Sequence, residues 1–350
     1  MVIWRDGLFK NGFFSILIAL TIIFSIGFVL SVHLISPTSI TVNQSQNYVY
    51  NITVNNTNVC PVGGNITQLN MTLPGGFVFI TDTNGTSTVG GFVNTSSVLS
   101  WTNTTYYLIN CSTNNTAFWF NATANSTAGS YNITVTSVNA SAIYSTNVSI
   151  TVNDITPPSS ITFISQTPAT SSNLSSSSIA VNLTANDDVG IGTFRIYLWN
   201  STGVNNTNIS SSGTTGYAYI NFTGLADGVY YLNTTVNDSS GNENRTSETR
   251  RITLDTRAPV ITSVVGSGGV NSTSARITWD TNESANSIVY YGTSTGTGSS
   301  KSGDGSYGTF QTVYLTGLSA STLYYYNASS CDFAGNCNIS IQANFTTSAT

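Results

Sequence analysis

Residues 228–242 read GVYYLNTTVNDSSGN, and the pattern occurs twice more, as GSYNITVTSVNAS from Gly129 and as TLYYYNASSCDFAGN from Thr322. Aligning Tyr131, Tyr230 and Tyr324 places Asn139, Asp238 and Asp332 each eight residues further on. Behind the tyrosines, Ile133 and Val135, and then Leu232, Thr234 and Val236, recur at every second position. That is the period of a strand with one buried face. In the second and third copies the strand runs into Asp-x-x-Gly-Asn, Asp238–Asn242 and Asp332–Asn336. This sequence predicts a tight hairpin, because Asp accepts backbone N–H bonds while Gly and Asn tolerate positive φ. The tyrosines lie 99 and 94 residues apart, the length of one β-sandwich, so the chain reads as three sandwiches in series.

Working outward, the segments between these strands are short alternating runs such as SIAVNLTA, GTFRIYLWN and YAYINFTG, separated by Gly, Asn, Ser and Asp. No amphipathic helical period appears, and the fold class is all-β. The joints repeat as well: ITVNDITPP reaches Pro158 and ITLDTRAP reaches Pro259. Each is a last strand, a short polar stretch, then proline, which stops ladder pairing. The expected domains are 38–155, 156–256 and 257–347.

Ahead of them, Phe13 to Ile35 reads FFSILIALTIIFSIGFVLSVHLI, 23 residues without a formal charge. About 20 apolar residues cross a bilayer as a helix, whereas a cleavable leader has a shorter apolar region and a small-x-small exit. The segment is therefore read as an uncleaved signal anchor at 13–35. Arg5 and Lys10 precede it and no Lys or Arg follows until Arg195, so residues 1–12 are expected to be cytoplasmic and the bulk extracellular. Two further features agree with an extracytoplasmic chain. There are 29 Asn-x-Ser/Thr tripeptides among 40 asparagines, against about 12 from composition alone, and Asn51, Asn132, Asn182, Asn233, Asn327 and Asn344 are representative glycan acceptors. The four cysteines suit an oxidising compartment. Of three possible pairings, Cys331 with Cys337 closes cheaply across DFAGN, which leaves Cys60 with Cys111. Zinc ligation is the competing reading, disfavoured by the lack of CxxC spacing.

The third domain resembles a fibronectin type III module. ITWDTNESANSIVYYGTS carries the core tryptophan, Trp279, and LSASTLYYY carries Leu318, Thr322 and Tyr324 of the L-x-P-x-T-x-Y signature, with Ala320 in place of proline. The resemblance implies that the tyrosine hydroxyl bonds back across the corner, a packing role. The second domain, through GLADGVYYLNTTVNDSSGN, is similar to immunoglobulin-like modules of bacterial and archaeal envelope proteins. The first, through NITQLNMTLPGGFVFI and AFWFNATANSTAGSYNITV, resembles repeat domains of prokaryotic, especially archaeal, cell-surface glycoproteins. Such modules imply fold more than function.

Only 7% of residues are charged, the net charge is −5 and the pI near 4.6, which excludes a nucleic-acid partner that needs a basic face. The chain has one histidine, His33, at the outer end of the apolar segment, so Ser-His-Asp and Cys-His catalysis are excluded. There is no Walker loop, HExxH or dinucleotide fingerprint. No catalytic residue and no cofactor are expected. Carboxylates cluster at Asp187-Asp188, Asp227, Asp238-Glu243 and Asp280-Glu283. Asp187, Asp188 and Asp238 are the calcium candidates if neighbouring loops meet, turn formation being the plainer reading. Tyr106-Tyr107 and Tyr290-Tyr291 offer sugar-stacking faces, with core packing as the alternative. The expected function is a non-catalytic structural or adhesion protein, meeting surface polysaccharide, other envelope proteins or copies of itself. One alternative is a pilin-like or surface-layer filament subunit processed after Gly12, although Leu17 stands where pilins carry an acid. The other is the stalk of a surface hydrolase whose catalytic part lies elsewhere.

Overall fold

The computed structural model describes residues 33–350 apart from 58–63, 89, 112–113, 141, 247, 297, 299 and 304. Every regular element in the described residues is a strand, and no helix there is long and apolar enough to cross a membrane. Most of the expected anchor, 13–32, lies outside the described residues. Its last three positions do not belong to a helix. His33–Ser36 is a strand, paired antiparallel with Val54, Asn55 and Asn56 among others. The first sandwich thus begins before residue 38, because the HLIS run has the apolar content of an anchor but finds backbone partners in a sheet.

Contacts divide the chain into two compact units, up to Ile155 and Thr156–Thr350. The first holds one sandwich. One sheet orders His33–Ser36, Asn47–Asn56, Asn114–Thr123 and Val78–Thr86; the other orders Ser39–Asn43, Ile143–Asn153, Gly129–Val138, Gln68–Thr72, Val98–Thr102 and Gly91–Asn94. The chain changes sheets at Pro37, and Ser39–Asn43 then pairs parallel to Ile143–Asn153. Alternation fills the space between the sheets: Tyr50, Ile52, Val54, Phe118, Phe120, Ile133, Val135, Val148 and Ile150 are all buried.

The second unit holds two sandwiches of one layout. In the second sandwich a three-stranded sheet, Ser159–Phe163, Ile179–Asn186 and Thr215–Phe222, faces one centred on Gly228–Asp238 and Ile191–Asn200. In the third, Ile261–Val265, Ser274–Ala285 and Gly308–Thr316 face a sheet centred on Leu323–Cys331. Each has its own core, around Phe194, Ile196 and Leu232 in one and Trp279, Ile277 and Leu315 in the other. The chain is therefore all-β, three tandem sandwiches of immunoglobulin and fibronectin III type.

The tyrosines of the repeat do the same work three times. Tyr131 and Tyr230 donate their hydroxyls to the carbonyls of Thr127 and Ala226 at 2.9 and 3.0 Å. Tyr324 accepts the Ser319 amide at 3.0 Å. In each case the ring caps the core while its hydroxyl ties down the approach to the strand.

Tyr50 is different. It is 1% exposed, stacks on Phe120 at 5.1 Å, and its hydroxyl has no hydrogen-bond partner among the described residues. Burial, with a smaller contribution from Tyr48, pushes its pKa up to about 12. Below pH 10 both folded and unfolded chains keep the proton. Between pH 10 and 12 the unfolded chain releases it first, so stability falls as pH rises, by up to about 3 kcal/mol. Tyr50→Phe is expected to stabilise the first sandwich by about 1 kcal/mol at pH 8 and to flatten the alkaline loss. Denaturant titrations of both proteins at pH 8 and 11.5 check this; parallel alkaline losses would refute it.

Candidate functional site

The Asp-x-x-Gly-Asn turns close the hairpins Gly228–Asp238 with Glu243–Arg245 and Leu323–Cys331 with Cys337–Ile339. In both, the Asp amide donates to the carbonyl of the final Asn at 3.0 Å, and the glycine takes positive φ, +96° at Gly241 and +89° at Gly335. Asp238 Oδ1 accepts the Ser240 and Asn242 amides, each at 2.8 Å, and Oδ2 accepts Asn242 Nδ2 at 2.7 Å. Asp332 Oδ1 accepts the Asn336 amide at 2.9 Å, and Oδ2 accepts Asn336 Nδ2 at 2.7 Å. In the first sandwich Asn139 fills the same position, its Oδ1 accepting the Ala142 amide at 2.8 Å.

Two residues past each turn a further asparagine reaches the proline joint that enters the same sandwich. Asn244 Nδ2 donates to the Pro158 carbonyl at 2.8 Å and Asn338 Nδ2 to the Pro259 carbonyl at 2.9 Å. Asn336 Nδ2 also donates to the Asp255 carbonyl at 2.7 Å. The full motif is thus D-x-x-G-N-x-N, a turn that clasps the incoming chain.

The same ends gather carboxylates. Ile179, Val181, Leu183 and Ala185 face the core, and the alternation carries Asp187 inward after them; Ala275, Ile277, Trp279 and Thr281 lead in the same way to Glu283. Oxygens of Asp187 and Asp238 lie within 4.8 Å of each other, as do those of Asp255, Glu283 and Asp332. Of the three calcium candidates, then, Asp187 and Asp238 meet, while Asp188 is exposed and is not part of the group. Asp255, Glu283 and Asp332 are an assembly that sequence reasoning did not make. Burial first, then the charges of Asp255 and Asp332, raise the Glu283 carboxyl above its usual range.

Cys331 and Cys337 form a disulfide with Cα atoms 4.0 Å apart, directly opposite in the hairpin. Cys111 is also disulfide-bonded, and Cys60 lies outside the described residues. Of the acceptor asparagines, Asn51, Asn132 and Asn344 are exposed and Asn182 and Asn233 half-buried. Asn327 is only 7% exposed and its Nδ2 donates to the Ser340 carbonyl.

Tyr106 and Tyr107 are 75% and 41% exposed beside a shallow groove of about 420 Å³. Core packing does not hold for them, since they lie in a loop where strand alternation has no force. Tyr291 packs against Tyr324 with Tyr290 half-buried beside it. A second open groove, of about 330 Å³, is lined by Tyr197, Trp199, Val204, Asn233 and Arg245.

Residues 262–347, the third sandwich, match the family described as purple acid phosphatase, N-terminal domain. No curated protein matches the chain. Among solved structures, domains A168–A170 of titin share 13% identity over 89% of this chain and 96% of theirs, with a TM-score of 0.44. Domains FN1–FN3 of chicken CNTN1 share 9% over 88% and 99%, at 0.35. Purple acid phosphatase PPD1 of yellow lupin shares 13% over 49% and 38%, at 0.21.

Proposed function

We propose that this chain is a membrane-anchored, N-glycosylated spacer or adhesion protein of a cell envelope, with its three sandwiches outside. The observation that carries the reading is the repeated clasp. Asn244 and Asn338 hold the carbonyls of Pro158 and Pro259, so the joints entering the second and third sandwiches are each fixed to the module they enter. Each bond shortens the stretch of joint left free to swing, which suits a spacer of defined reach. The low charge and the excess of Asn-x-Ser/Thr support a surface hydrated by glycans. Protease added to intact cells is expected to remove all three sandwiches and leave a small membrane-bound stub. Full protection of the C-terminal part rules out the outward orientation.

A second reading, favoured by the match of residues 262–347 to an N-terminal phosphatase domain, makes the chain the stalk of a surface enzyme. On this reading the tagged chain, recovered from native membranes with mild detergent, brings phosphatase activity with it, while the purified chain has none. Recovery without activity leaves the spacer reading in place.

A further inference from the structure

The turn at Asp187 accounts for only half of its carboxylate. Oδ1 accepts the Val189 and Gly190 amides at 2.9 and 2.7 Å. Oδ2 is buried and has no hydrogen-bond partner among the described residues, on a residue only 7% exposed. A turn needs one acceptor oxygen, which a neutral asparagine supplies as well. Asp238, 4% exposed, brings a second carboxylate within 4.8 Å. Two buried carboxylates side by side repel each other and lose their hydration, so the arrangement calls for a counter-charge. The ion pairs of Arg250 with Glu248 and of Arg257 with Asp227 use neither of them.

We infer that Asp187 and Asp238 ligate a divalent cation of the calcium class at the end of the second sandwich, with Asp187 Oδ2 as a direct ligand. The donors are hard oxygens with no thiolate or imidazole beside them, which suits calcium and not zinc. Calcium also tolerates irregular geometry and fills its six to eight positions with backbone carbonyls and water. The third sandwich repeats the arrangement in register. Glu283 and Asp332 stand where Asp187 and Asp238 stand, and Asp255 of the joint joins them within 4.8 Å. Turn formation explains one such end; it does not explain why an inward acid from the facing strand meets the turn aspartate at both.

The test uses the full chain, stripped with chelator and titrated with calcium chloride by calorimetry, with thermal unfolding alongside. Binding is expected with a Kd of about 0.1–1 mM, together with a rise in the unfolding midpoint. Asp187→Asn keeps an acceptor for the Val189 and Gly190 amides, so the chain should fold, yet one equivalent of binding should weaken at least about tenfold. Asp188→Asn should titrate like the wild type. If Asp187→Asn proves unfolded, Asp238→Asn carries the same expectation, its amide oxygen still serving Ser240. The inference is overturned by a wild-type chain giving neither heat nor midpoint shift up to about 10 mM calcium, or by a folded variant that binds as the wild type does. An equal response to magnesium overturns the calcium assignment.

Discussion

Trp279→Ala is expected to unfold the third sandwich while leaving the first intact. Trp279 is fully buried between the two sheets, packed with Ile277, Val289, Leu315 and Tyr324, and its Nε1 donates to Ser330 Oγ at 2.9 Å. Truncation opens a cavity worth about 3–5 kcal/mol. It also orphans the hydroxyl of Ser330, itself fully buried, for a further cost of about 1 kcal/mol or more. Their sum approaches the whole stability of a typical small domain, about 5–15 kcal/mol. Hydrogen exchange resolved by peptide is the measurement: amides of Leu323–Cys331 should lose protection, while those of Asn47–Asn56 keep it. Trp279→Phe separates the two contributions, because it fills most of the cavity and still orphans Ser330. Trp101 provides the contrast. It is as deeply buried, but its Nε1 has no hydrogen-bond partner among the described residues, so Trp101→Phe should cost less than Trp279→Phe. Retained protection across Leu323–Cys331 in Trp279→Ala would contradict the packing described for this core.

The three sandwiches were legible because the information that specifies them is local. Alternation of Ile133 with Val135, or of Leu232 with Thr234 and Val236, needs only a strand and a core on one side, and each of these residues is buried. The tyrosine corner was legible for the same reason, its partner lying four or five residues away. What escaped depends on long-range topology. Asp255 and Glu283 are 28 residues apart and become neighbours only because the joint enters beside the end of Ser274–Ala285. Reading acids as sequence pairs put Asp188 with Asp187 and Asp280 with Glu283, though only Asp187 and Glu283 of these four join the carboxylate groups. His33–Ser36 escaped for another reason. A short apolar edge strand following an apolar run has no compositional mark, and its pairing with Thr53–Asn56 is a property of the sheet.

The last expected result concerns the clasp, through Asp332→Ala. Asp332 is 3% exposed, and its two oxygens hold the amide and the side chain of Asn336, which in turn holds the Asp255 carbonyl. Hydrogen bonds to a charged acceptor are worth about 1.5–3 kcal/mol each. Removing both should therefore destabilise the third sandwich by about 3 kcal/mol, and the freed Asn336 no longer fixes the joint. Two effects are expected together: a lower denaturation midpoint for the third sandwich, and faster proteolytic cleavage within 255–260 under conditions where it remains folded. Asp332→Asn distinguishes the turn from the charge. Its amide oxygen can still accept the Asn336 amide, so the turn and most of the midpoint should survive, whereas a cation held by Asp255, Glu283 and Asp332 would lose one charged ligand. Asn338→Ala isolates the joint itself, since it removes the side-chain bonds to the Pro259 carbonyl and the Ile339 amide and leaves the turn alone. If cleavage at 255–260 is unchanged in both Asp332→Ala and Asn338→Ala, the joint is held by something other than the D-x-x-G-N-x-N turn. If cleavage accelerates in both while Asp332→Asn stays close to wild type, the turn's hydrogen bonds set the position of the incoming chain, and its charge remains free for a ligand.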